Sequence, residues 1–203
     1  ACIAAGKPVL CEKPLTPTAA AALRIMEAEQ AAGRRLVTVG FMRRFDLEFV
    51  AVKEALGSGE PGRLLLLHHT HRNVAAPHAN FTSEMIVRDS LVHEVDLSRF
   101  LFREEITEVT VLSPAPTAHA GAGVVDPQVA LFRMSGGGLV TAEVFINSQV
   151  AYEVRVEAVR FPAADLAIEA LRIGPMMRHG AKAFQQFATP DRPVGCSRRL
   201  LGS

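Results

Sequence analysis

Two short apolar runs on either side of an alanine-rich segment constrain this chain more than any other feature. Pro8-Val9-Leu10-Cys11 and Leu36-Val37-Thr38-Val39-Gly40 lack polar alternation and are too short for ordinary helices. Such runs are the pattern of strands covered on both faces. Between them, Thr16-Pro17 reads as a helix start, with Thr as cap and Pro at the first helical position. The helical stretch runs to Ala32 and stops at Gly33. Strand, helix, strand in this order predicts a parallel pair, because parallel neighbours need a long crossover. Ala1 to Ala5 reads as a helix tail closed by Gly6, so the chain reads as a fragment opening inside an element.

The pattern then changes. A helix is predicted from Leu47 to Leu56, broken by Gly57-Ser58-Gly59, and a strand from Leu64 to Thr70 that feeds His71-Arg72-Asn73. After a polar loop (Val74 to Ser83) comes a helix carrying Asp89 and His93, then a strand over Thr107 to Leu112. Val129 to Met134 and Leu139 to Ile146 read as a hairpin around Gly136-Gly137-Gly138, and Tyr152 to Val159 alternates as a further strand. Residues 1–40 thus form a short α/β unit. Residues 41–160 form an α+β domain with a mostly antiparallel open sheet. Residues 161–203, with weak helical stretches and an excess of basic residues, read as an irregular, poorly ordered tail.

Composition narrows the function classes. The 203 residues are 49% hydrophobic and 21% charged, enough for a packed core. Lys and Arg (22) nearly balance Asp and Glu (21), so no basic surface points to nucleic acid or a membrane. No apolar run approaches the ~20 residues that span a bilayer. Cys2, Cys11 and Cys196 lack metal spacing and fit a reducing cytoplasm.

Three motifs carry chemistry. Asp89 and His93 are four apart, which on an α-helix stacks them on one face, with Asp96 continuing the polar line. A carboxylate one turn from an imidazole fixes the ring and stabilises its protonated form, as a general base near neutral pH requires. The same spacing also describes a surface pair. Glu12-Lys13-Pro14 lies just past the carboxyl end of a buried strand, where open α/β sheets bind ligands. Lys13 there can steady a developing alkoxide, or simply be a solvated turn lysine. His68, His69 and His71 cluster, but no Cys or carboxylate adds metal-ligand spacing, and Leu97 stands where a zinc-protease helix needs its second His. No metal is expected.

Four ordered blocks bring these motifs together. Ala5-Gly6-Lys7-Pro8-Val9-Leu10-Cys11-Glu12-Lys13-Pro14-Leu15, then Val39-Gly40-Phe41-Met42-Arg43-Arg44-Phe45-Asp46, then His71-Arg72-Asn73, then Asp89 through Asp96, resemble the Gfo/Idh/MocA oxidoreductase family, narrowly its branch acting on inositol-type polyols. The resemblance runs from Ala1 to about Val159. It implies that residues 1–40 are the end of an NAD-binding Rossmann domain, with Glu12, Lys13 and Pro14 on the cofactor side. It further implies NAD-dependent oxidation of a cyclic polyol hydroxyl to a ketone. Lys13, Asp89 and His93 would be catalytic, and Asn73, Tyr152 and Arg43 substrate-side. Subunits would pair through the sheet face into a homo-oligomer, a tetramer in the family, with Val129 to Val159 as the surface. The Gly-rich fingerprint is expected upstream of Ala1, so the chain alone should bind dinucleotide poorly and turn over little; micromolar NAD binding would overturn this. Another sugar or sugar-acid dehydrogenase of the family, or a non-catalytic carbohydrate-binding or assembly domain, are the alternatives.

Overall fold

The computed structural model describes residues 1–57, 62–161 and 169–172. Strand β1 (Val9–Cys11) pairs in parallel with β2 (Val37–Val39) across helix α1 (Ala19–Ala31), as the apolar runs require. The helix starts two residues later than Thr16-Pro17 suggests. Thr18 is the cap, its Oγ1 accepting from the Ala21 N–H at 3.3 Å, while Thr16 donates to the Thr18 carbonyl. Both threonines offer a capping oxygen, and local turn geometry selects the second.

A 3-10 turn (Met42–Arg44) and helix α2 (Leu47–Gly57) lead into β3 (Arg63–Arg72). After the polar loop, one α turn (α3, Ser83–Met85) passes through a π-helical turn (Ile86–Leu91) into α4 (Val92–Phe102). Strands β4 (Ile106–Leu112), β5 (Gln128–Met134), β6 (Leu139–Phe145) and β7 (Glu153–Phe161) follow, then β8 (Glu169–Arg172). They form one sheet in the order β4-β5-β6-β3-β7-β8. Only β3 and β6 run parallel; the other neighbours are antiparallel.

The β5–β6 hairpin turns at Gly137, whose φ of 90° suits a residue without a Cβ. Strand β8 lies where the sequence predicts an irregular tail. Its Glu, Ala, Leu and Arg favour helix, and pairing with β7 overrides that weak preference. The rest of the predicted tail lies outside the described residues.

Alternation divides the sheet into two faces. Leu67, Phe132, Met134, Val140, Val144, Val154 and Val156 point to one side and pack against Phe49, Val52, Ile86, Leu91, Leu97 and Leu101 from the helices. The opposite face presents half-buried Leu66, Val129, Leu131, Thr141 and Phe145. Lys13, Arg43, His71, His93 and Glu94 come together on the helix-covered side, beside the 3-10 turn.

Candidate active site

The inner face of β3 and the buried stripe of α4 meet in step. His69 and His71 are two apart on the strand, an advance of roughly 6.7 Å. Ser98 and Glu94 are four apart on the helix, an advance of about 6 Å. The near match lets His69 Nε2 meet Ser98 Oγ at 3.1 Å while His71 Nδ1 lies 3.2 Å from Glu94 Oε1. Glu94 has no exposed surface, and its carboxylate also accepts from Arg43 Nη1. Arg44 forks onto Asp96 at 2.8 and 2.6 Å. Two successive arginines of one tight turn therefore grip two acids of α4, tying the strand pair to the sheet domain.

Lys13, at the carboxyl end of β1 and joined to Pro14 by a cis peptide, closes a second tie. Its Nζ donates to the backbone carbonyl of Asp89 at 2.6 Å. The π turn accounts for an accepting carbonyl at that place. Hydrogen bonds there reach one residue further than in an α-helix, with the Val92 N–H bonded back to Val87 O, and such turns leave carbonyls for other donors.

The same turn revises the predicted Asp89–His93 stack. Asp89 lies in the π turn and His93 in α4, so the two do not share one regular α-helix, and no hydrogen bond joins them among the described residues. The Asp89 carboxylate instead accepts from Arg88 Nε at 2.9 Å and Nη2 at 3.1 Å, which holds it below the ordinary carboxylate range. The His93 ring, 5% exposed, makes no hydrogen bond among the described residues, and its Nδ1 is buried without a partner. Burial first, then the Arg43 and Lys13 charges, push His93 down to about 4, with Glu94 opposing. The imidazole is thus neutral at pH 7, where the sequence predicts a carboxylate-stabilised protonated form.

The remaining predicted residues divide. Tyr152 stands beside His71, ring centroids 6.2 Å apart, and its phenol is raised by burial, with Arg43 opposing. Asn73 is one step beyond the Arg72–Glu153 pair, opposite Tyr152. Its backbone is fixed by Phe145 and Ser148, and its side-chain amide has no hydrogen bond among the described residues. Arg43, expected on the substrate side, is 2% exposed and engaged with Glu94 and His71. Glu94 escaped the sequence reading. The signal was available, since Ser90, Glu94, Leu97 and Leu101 recur at spacings of 4, 3 and 4, placing an acid in the buried stripe. His68, His69 and His71 do not converge: His68 meets Thr141 on the outer face, and the other two separate to Ser98 and Glu94.

A parallel strand pair ending near Lys13 is thus tied to an open six-stranded sheet whose covering helix carries His93, an arrangement of the two-domain type with a Rossmann half and a sheet half. The family models agree: residues 1–41 match "Oxidoreductase family, NAD-binding Rossmann fold", and residues 49–159 match "GFO/IDH/MocA C-terminal domain". The chain belongs to the Gfo/Idh/MocA family. Among its relatives, inositol 2-dehydrogenase of Streptomyces avermitilis is 54% identical over 159 residues, 78% of this chain and 46% of that protein. Inositol 2-dehydrogenase of Mycolicibacterium gilvum is 46% identical over 190 residues, 94% of this chain and 54% of that one. This second match carries the likeness past Val159, where the sequence reading ends it. The myo-inositol dehydrogenase of Lactobacillus casei, solved with NAD(H) and myo-inositol, superposes with a TM-score of 0.73 at 30% identity, over 88% of this chain and 52% of that one. The chain spans about half the length of the curated relatives it matches.

The residues present suit the nicotinamide end of a dinucleotide, with Glu12, Lys13 and Pro14 at the strand edge and a buried, unpartnered ring nitrogen on His93 within electrostatic reach of Lys13. Gly57-Ser58-Gly59-Glu60-Pro61-Gly62 does spell Gly-x-Gly-x-x-Gly, but it leads from α2 to β3, whereas a pyrophosphate fingerprint follows a strand and opens a helix. No helix among the described residues is long and apolar enough to cross a membrane.

Proposed function

We propose that this chain is the catalytic centre of an NAD-dependent dehydrogenase that oxidises one ring hydroxyl of a cyclic polyol to a ketone, myo-inositol to scyllo-inosose. The observation that carries the reading is the meeting of Lys13, the Asp89 turn and the unpartnered His93 ring across the join of the two domains. NAD, when bound against Glu12, Lys13 and Pro14, supplies the hydride acceptor.

The chain's own residues then manage the proton and the oxygen. A neutral His93 accepts the proton of the reacting hydroxyl. Lys13 donates a charged hydrogen bond to the oxygen as negative charge develops, which a point charge at a partly dry site does well. Asp89 holds Lys13 in place through its backbone carbonyl and keeps a negative charge at the rim through the Arg88 pair. Asn73 and Tyr152, side by side at the end of the sheet, offer an amide and a phenol to further hydroxyls, as a neutral polyol demands.

The half-buried outer face of the sheet, centred on Leu66, Leu131 and Thr141, is the surface through which copies of the protein pair. The test of the activity is NAD reduction with a panel of polyols, on a protein in which a strand-borne Gly-x-Gly-x-x-Gly half precedes Ala1. Inositol should be turned over fastest. A sugar or sugar acid that outpaces it would assign the chain to a different dehydrogenase of the family.

A further inference from the structure

The helix-covered face holds a buried acid that the proton chemistry above does not use. Glu94 is fully buried, and one carboxylate serves two partners: Arg43 through Nη1, and His71 through Nδ1 at 3.2 Å to Oε1 and 3.3 Å to Oε2. An ionised carboxylate is acceptor only, so a bare ring nitrogen facing both its oxygens would set lone pair against lone pair. Arg43 Nη2 also lies 3.4 Å from the same nitrogen, the longest of these contacts. The two carboxylate contacts therefore place a proton on Nδ1.

The second consequence is electrostatic. The His71 ring neighbours those of both Tyr152 and His93, with centroids at 6.2 and 6.5 Å. The groups acting on His93 are Lys13 from the end of β1, Arg43 from the 3-10 turn, His71 from β3 and Glu94 from its own helix, while Asp89 pairs with Arg88 and the Tyr152 phenol faces Arg43 and Glu94. Two of these are fixed cations and one is an anion. Removing the anion leaves a buried guanidinium uncompensated beside the ring that must take a proton.

We propose that Glu94 is a positioning residue, whose carboxylate fixes the His71 proton on Nδ1 and balances the Arg43 charge next to His93. Its value for catalysis rests on the dehydrogenase reading, while its geometry does not.

The test is long-range proton–nitrogen NMR of the histidine rings in the 203-residue chain, which needs neither cofactor nor polyol. In the unmodified chain at pH 7, His71 should show a protonated Nδ1; a bare Nδ1 would overturn the proposal without any variant having to fold. Arg43→Gln should raise the His93 titration midpoint by about one pH unit, as loss of a near cation does. Glu94→Gln should lower it, and Glu94→Asp should leave it close to its starting value. Shifts of the same sign in Arg43→Gln and Glu94→Gln would sink the charge balance. A protonated His71 Nδ1 in a chain that proves to be no dehydrogenase would keep the Glu94 assignment and discard the activity.

Discussion

Lys13 reaches across the join between the strand pair and the sheet domain to donate to the Asp89 carbonyl at 2.6 Å. The bond couples the predicted cofactor edge to the helix that carries His93. Lys13→Met should therefore have two effects that separate cleanly. Chemical denaturation should show a loss of about 1 kcal/mol, the worth of one such bond. Turnover in the polyol assay should fall by roughly 100-fold or more, because the oxygen's charged donor is gone. A stable but fully active variant would remove Lys13 from the site.

Acid should weaken the fold in two successive windows. His69, buried against Ser98, is pushed by burial from 6.5 to about 4. Between those values the unfolded chain binds a proton that the folded chain refuses, so stability rises with pH through this window and is lost as pH falls from 6.5 to 4. The size is on the order of 3 kcal/mol for this one group. Glu94, carried to about 2 by Arg43 and His71 against the opposing effect of burial, acts in the next window, its contribution present above 4.5 and lost as pH falls toward 2. Urea midpoints measured from pH 7 to 2 should slope accordingly. In His69→Leu the slope should flatten; an unchanged slope would place the acid sensitivity elsewhere.

The Arg44–Asp96 fork has one exposed partner and one buried one, with side chains 38% and 6% exposed. Arg44→Ala should cost about 1–3 kcal/mol, since it removes both hydrogen bonds from the buried Asp96 carboxylate. Asp96→Asn in the Arg44→Ala background should recover part of that loss. A thermal melt that does not distinguish single from double variant would show that water already satisfies Asp96.

Assembly through the outer sheet face predicts that the protein sediments as an oligomer. Leu131→Glu places a charge in the middle of that face without touching the core side of β5, and should release smaller species in sedimentation velocity. A monomeric unmodified protein would reject the face as an interface.

How much of this was legible in the residues depends on how local each signal is. The parallel strand pair, the hairpin at Gly136-Gly137-Gly138 and the sheet strands β3 to β7 were readable because apolar runs, alternation and turn glycines are encoded within a few neighbouring positions, whereas β8 forms only by pairing with β7. Four ordered sequence blocks likewise carried the family. The π turn that carries Asp89 was not readable in the sequence. An α-helix and a helix interrupted by a π turn share one sequence pattern, and only packing on the sheet decides where the extra residue is absorbed.

The sequence by itself determined which elements form and which residues are chemically able to act. Tertiary structure alone decided which distant residues face each other: Arg43 meets Glu94, 51 residues on, Lys13 meets the Asp89 carbonyl, and His93 is buried with its Nδ1 without a hydrogen-bond partner. The reason is range. Propensity and periodicity act over one or two turns, whereas partners such as Lys13 and Asp89, 76 residues apart, meet only when the whole chain has packed.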